Sequence, residues 1–283
     1  MKRDLADVLH AAKPGAAGCF NTLNIDMALS VLDAAENLSR GVIVGIASRH
    51  FDDMRAGLRA SAYLRAIEAA AVPAALHLDH ATPEQFDMIR EALDLGFTSI
   101  MIDGSHLPFD ENVEITARVV ELARRYGAGV EGELGAVAGE EGVADTGHDA
   151  PAALPYTDAA EARRFVEQTG VDALAIAVGT AHGLYRESPH ISLDTIEAAA
   201  NAVSIPLVMH GATGVGDIAI RGAVSRGIRK INFFSGLLQA GMDEVRACAD
   251  ATHNDYQAFL RACRASWQEL VTTQILLYAG DTH

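Results

Sequence analysis

Eight short apolar runs alternate with longer amphipathic segments along this chain, and that alternation restricts the possible folds more than any other feature. The runs cover residues 18–23, 41–47, 74–78, 99–102, 129–134, 173–178, 206–209 and 230–234. Runs this short and this apolar read as strands covered on both faces, the pattern of a parallel sheet. Between them, apolar residues recur at three- and four-residue spacing, as in Phe86, Ile89, Leu93 and in Val113, Val119, Leu122, which predicts amphipathic helices over 83–95 and 109–126. Thr82-Pro83 and Asp158 supply helix starts, and Gly96, Gly127 and Gly170 stand where helices would stop.

Eight strand-helix units in regular order predict an α/β fold, a closed (β/α)8 TIM barrel, with an open doubly wound sheet as the alternative. A barrel of this kind is routinely one domain at this length, so residues 1–283 are expected to form a single domain. Two stretches depart from the rhythm. Residues 135–156 are rich in Gly, Ala, Asp and Glu with no periodicity, and read as a long loop on the active-site side. The tail, about 255–278, has a helical pattern and is expected to cover the barrel or reach a neighbouring subunit.

A net charge of −16 argues against nucleic acid and anionic membranes as partners, because both require clustered Lys and Arg. Cys19, Cys248 and Cys263 are too few and too dispersed for a disulfide framework and read as small apolar filler. The first residues lack an apolar core of signal-peptide length, and no apolar run reaches membrane-spanning length. A cytoplasmic setting is the expectation.

Three of the apolar runs lead to a histidine: Leu76-His77-Leu78-Asp79-His80, Val178-Gly179-Thr180-Ala181-His182 and Leu207-Val208-Met209-His210. Strand ends meet at one barrel mouth, so residues distant in sequence can converge there. Three imidazoles and one open position is the usual donor set of a catalytic zinc, and His80, His182 and His210 satisfy that count. His77, an odd number of residues from His80, is expected on the opposite side of its strand. His106 falls in a loop and His10 in the first helix, and all three read as structural.

Carboxylates cluster near the same strand ends. Asp79 precedes His80 and reads either as a group at the mouth or as a capping or orienting carboxylate. Asp103 ends another apolar strand and reads as a partner of the metal group, holding a histidine in place. Glu131 and Glu133 share one strand face by period two, and Glu140-Glu141 follow in a Gly-flanked loop, so that one of these glutamates is a candidate general base. Gly183 and Gly211 follow two of the histidines, where glycine lets the backbone approach a ligand and aim N–H groups at an anion.

Taken together, Leu78-Asp79-His80, Ile102-Asp103-Gly104-Ser105, Val130-Glu131-Gly132-Glu133, Gly139-Glu140-Glu141, Thr180-Ala181-His182-Gly183, His210-Gly211-Ala212-Thr213-Gly214 and Lys230-Ile231-Asn232 resemble the class II, zinc-dependent ketose-bisphosphate aldolases. The tagatose- and fructose-bisphosphate enzymes are the most similar. The resemblance implies a carbon–carbon lyase that cleaves or forms a ketose phosphate through a metal-stabilised ene-diolate. It implies one catalytic Zn2+ on His80, His182 and His210, with Glu133 as an alternative ligand or part of a second or monovalent cation site. It further implies Asp79 as the acid at the aldehyde oxygen, Glu141 as the base at the donor carbon and Asn232 as the group that positions the ene-diolate. Gly183, Gly211, Thr213 and Ser235 would hold a sugar phosphate, Arg261 would reach it from this subunit or a neighbour, and the assembly would be a homodimer or homotetramer.

The chain also departs from the family pattern. Thr213 replaces the usual Ser, Phe234 brings a ring beside the phosphate position, and Ala47-Ser48-Arg49-His50 replaces a small loop after the second strand. A non-standard or unphosphorylated donor is therefore the alternative reading. A zinc hydrolase would leave Asn232 without a role, and a non-catalytic barrel subunit would have no chemical need for Asp79, Glu141 and Asn232 together.

Overall fold

In the computed structural model, eight parallel strands close into a barrel in sequence order. The structure describes every residue except 52–54, 136, 138–145, 149–154, 186–188, 251–254 and 281–283. The strands are β1 (Ala17–Asn21), β2 (Val42–Ala47), β3 (Ala74–Ala81), β4 (Ser99–Ile102), β5 (Gly129–Leu134), β6 (Ala173–Ile176), β7 (Leu207–Met209) and β8 (Ile228–Phe233). All eight expected strands are present. β1 and β8 start earlier than the apolar runs suggest, and β3 runs on to Ala81. A further short parallel pair, Thr146–His148 with Leu184–Tyr185, lies outside the barrel and inside stretches that read as loop.

Strand alternation separates two cores. Outward-facing residues such as Phe20, Val44, Leu76, Ile100, Val130, Leu174 and Ile231 pack under the surrounding helices. Inward-facing Ala17, Cys19, Ile43, Ala75, Ala173, Ala175 and Val208 meet Leu5, Val8 and Leu9 of helix Leu5–Ala11, which plugs the end of the barrel where the strands begin. Asp4 caps that helix by accepting the Asp7 N–H at 2.8 Å.

Above this apolar floor the interior changes character. His77, Asp79, Glu131, Glu133, Lys230 and Asn232 are all buried in the interior, as is Ser99 at the start of β4. The helix starts follow the sequence signals: Thr82 and Gln85 form a reciprocal capping box, and Asp158 accepts the Ala160 and Glu161 N–H groups. The long helix Tyr256–Tyr278 packs on Ile25–Asn37 and Ser235–Asp250, lying along the barrel wall. Trp267 Nε1 donates to the Leu237 carbonyl at 3.0 Å, and Arg264 pairs with Asp33 at 3.1 Å.

Candidate active site

The site begins with one irregular residue. Simple alternation along β3 would aim His77 and Asp79 inward and His80 outward. Instead, pairing with β4 shifts register between Leu78 and Ala81, and His80 takes a left-handed φ of 51°. Such a conformation costs a non-glycine residue on the order of 1–3 kcal/mol. Ser48, on the turn after β2, helps hold it by donating its hydroxyl to the His80 carbonyl at 2.6 Å. The expected opposition of His77 and His80 therefore fails: the bulge rotates His80 back to the mouth, and both rings flank Asp79, at 3.4 and 4.0 Å.

His80, His182 and His210 converge as the sequence suggests. The ring centres of His80 lie 4.6 Å from His182 and 4.5 Å from His210, with 5.8 Å between the latter two. His182 stands in the loop beyond β6, six residues past the Ile176 strand end, rather than on the strand itself. His210 directly follows β7. Gly211, at φ 66°, lets this turn press on the Ala181 peptide, where a Cβ would collide with the Ala181 carbonyl oxygen.

Two donor groups share His80. Ligand atoms of His80, His182 and His210 lie within 4.8 Å of one another, and so do those of His80, Asp103 and Glu133. His80 Nε2 is 2.8 Å from His210 Nδ1, and His80 Nδ1 is 3.3 Å from Asp103 Oδ2. Burial opposes charge on His80, but Asp79, Asp103 and Glu133 outweigh it and raise its pKa to about 10. An imidazolium thus donates on both sides at the centre of a carboxylate and imidazole cage. Glu133 is the strained member: burial and the neighbouring Asp103 push its pKa well up, and among the described residues its buried Oε2 has no hydrogen-bond partner. A divalent cation would answer both features, taking the place of the His80 proton and giving Glu133 a counter-charge. The mixed nitrogen and oxygen donors suit zinc.

Asp79 sits beneath the histidines and accepts the Asn21 amide at 2.7 Å and the Asn232 amide at 3.0 and 3.1 Å. Burial would raise its pKa, but His80, the His77 ring and Lys230 hold it well below the usual carboxylate range. Asn232 is fixed from the other side, its Oδ1 accepting from Lys230 Nζ at 2.7 Å. Gly45 makes room for this arrangement, because a Cβ there would strike Asn21 Oδ1.

Several supporting residues escape a reading based on strand ends. Glu131 accepts the His210 Nε2–H at 2.8 Å and pairs with Lys230 at 2.8 Å. His77 Nδ1 contacts Ser99 Oγ at 2.6 Å. The period-two match of Glu131 with Glu133, and of Lys230 with Asn232, is the sequence signal that would place them in the interior. Thr213 and Ser235 are buried near each other, Thr213 Oγ1 accepting the Gly236 N–H at 3.3 Å. Arg261 is largely exposed, with Asp255 at 4.0 Å, and among the described residues it does not join the histidine group. Glu141 lies outside the described residues.

The family model of class II fructose-bisphosphate aldolase matches residues 3–280. The chain belongs to that family. A probable fructose-bisphosphate aldolase of Bacillus subtilis is 35% identical over 276 residues, covering 94% of each chain. The 6-phospho-5-dehydro-2-deoxy-D-gluconate aldolase of Bacillus velezensis is 37% identical, covering 82% of this chain and 78% of its own. Among solved structures, the YdjI aldolase of Escherichia coli K12 superposes with a TM-score of 0.87 at 31% identity, covering 99% of this chain and 98% of that one. In this aldolase the closed barrel and the order of its strands agree with that kinship.

Proposed function

We propose that this class II aldolase is zinc-dependent and reversibly cleaves a ketose phosphate or related sugar phosphate. One observation carries the reading: His80, His182 and His210 meet at the barrel mouth directly above Asp79 and Asn232. His80, His182 and His210, with Glu133 and Asp103 alongside, would hold the zinc, whose contribution would be Lewis acidity toward the donor carbonyl.

The chain's own groups do the rest. Asp79, kept ionised by the surrounding positive charge and two amide N–H donors, is suited to take the hydroxyl proton during cleavage and return it during condensation. Asn232 presents its amide beside His210, 3.2 Å from Nδ1, where a donor-derived anion would lie. Glu141 is assigned the proton at the donor carbon by resemblance to the family. The turns at Gly183 and Gly211, with Thr213 and Ser235, are assigned the phosphate. Arg261 is assigned a phosphate contact, made in its own subunit or in a neighbouring one.

The relatives differ in what their names say they cleave, so the bisphosphate is one of two readings for the substrate. A second reading, an unphosphorylated or unusual donor, is favoured by Phe234. This ring is 2% exposed and meets His50 edge-on at 6.1 Å, so two departures from the family pattern pack against each other at the mouth. A homodimer or homotetramer is proposed, supported by exposed Met242, Val245, Tyr256 and Leu260 on the last two helices. A cytoplasmic setting is proposed with it; among the described residues no helix is long and apolar enough to cross a membrane, and all three cysteines are free.

The test is zinc analysis combined with release of dihydroxyacetone phosphate from a panel of ketose phosphates, alongside unphosphorylated ketoses. Zinc-dependent release from a phosphorylated member supports the first reading, and turnover only of unphosphorylated members supports the second. Zinc-loaded protein inert toward both sets would sink the proposal.

A further inference from the structure

The loop carrying His182 and the turn carrying His210 belong to different strands, yet their mutual spacing decides whether one ion can be held. A single side chain spans them. Tyr185 Oη accepts the Ala181 N–H at 2.6 Å and shares its own proton between the Ala181 carbonyl at 2.7 Å and the Gly211 carbonyl at 2.9 Å. Ala181 and Gly211 are the immediate neighbours of the two histidines. The Tyr185 ring also backs the turn, lying where a Cβ on Gly214 would come within 3.2 Å.

We propose that the Tyr185 hydroxyl is a positioning group that sets the spacing of His182 and His210 and thereby controls metal retention. The proposal rests on the zinc reading above. One hydroxyl hydrogen-bonds three backbone polar groups beside the ligands, and pre-set ligands lose less freedom when an ion binds. The same residue is in register with His148 in the small parallel pair, so the staple also links Thr146–His148 to the histidine turns.

Linkage makes the idea measurable, because a staple that favours the ion must be favoured by the ion in return. Zinc affinity would be measured by chelator competition for the wild type and for Tyr185→Phe, with melting temperatures of both in metal-free and zinc-loaded forms. Trp267→Phe, which removes a buried hydrogen bond on the barrel wall, is the comparison for general destabilisation. The expected result is zinc affinity weakened roughly 10- to 100-fold in Tyr185→Phe, the range seen when groups that orient metal ligands are removed. The rise in melting temperature on zinc binding should shrink in that variant and be preserved in Trp267→Phe.

Equal zinc affinity in Tyr185→Phe and wild type would overturn the staple while leaving the zinc reading intact. Wild-type protein that binds no zinc would instead remove the reading beneath it. Should Tyr185→Phe fail to fold, hydrogen exchange on the wild type decides the matter. The Ala181 amide should gain protection when zinc is added, and equal protection with and without the ion would refute the coupling.

Discussion

Lys230 Nζ lies 2.8 Å from Glu131 Oε2, with both side chains fully buried, while the other oxygen of the same carboxylate takes the His210 Nε2–H at 2.8 Å. Burial alone would neutralise Glu131, but Lys230 and His210 keep it ionised and lower its pKa to about 2. The consequence is a fixed tautomer: with Nε2–H committed to Glu131, His210 offers Nδ1 to the mouth.

Replacing Lys230 should therefore harm more than local packing. In Lys230→Met the buried Glu131 charge loses its partner, and a loss of about 3–5 kcal/mol is expected. Chemical denaturation of the metal-free protein measures it. Adding Glu131→Leu should restore much of the stability without restoring zinc affinity, because His210 is then unheld. A double variant that binds zinc like the wild type would refute the orienting role.

Zinc uptake should release protons. The His80 pKa is raised from 6.5 to about 10, so at pH 7 the metal-free ring carries a proton that the ion must displace. Apparent affinity should rise with pH, by about tenfold per unit for one displaced proton, and level off as pH approaches the raised value. Calorimetry in buffers of different ionisation enthalpy counts the protons. In the absence of metal the sign for stability is opposite: the His80 contribution is complete below pH 6.5 and is lost as pH rises through about 10.

Asp79→Asn keeps an acceptor for the Asn21 and Asn232 amides but removes the proposed proton-transfer group. Turnover should fall by about 10^2- to 10^4-fold with zinc content unchanged. Steady-state rates and metal analysis on the same sample check this. Activity within a few-fold of wild type would remove Asp79 from the proton-transfer step.

Leu9→Ala tests the opposite end. Leu9 is fully buried in the plug beneath the barrel, and its truncation should cost about 2–5 kcal/mol. Turnover at temperatures where the protein stays folded should be unchanged. A large fall in kcat there would show that the floor and the mouth are coupled.

The eight strands were legible because burial on both faces leaves apolar runs that no turn or surface helix imitates. The three histidines were legible because barrel geometry gathers strand ends. The side to which His80 points was not, since alternation assigns it outward and a single left-handed residue leaves no mark in side-chain chemistry. Lys230 was hidden for another reason: its counter-charge, Glu131, belongs to β5, and only closure of the barrel brings the two together. Tyr185 carries no such signal in the sequence, because the two backbones its hydroxyl joins meet only in the folded barrel.

Helix Leu5–Ala11 corks one opening of the cylinder with Leu5, Val8 and Leu9, all fully buried. Among the described residues that end is sealed by apolar side chains, so protons exchanged by the ionised layer have to pass at the end where the three histidines gather. A bound reactant would accordingly shut that traffic off, leaving the groups inside to exchange protons with it and with one another.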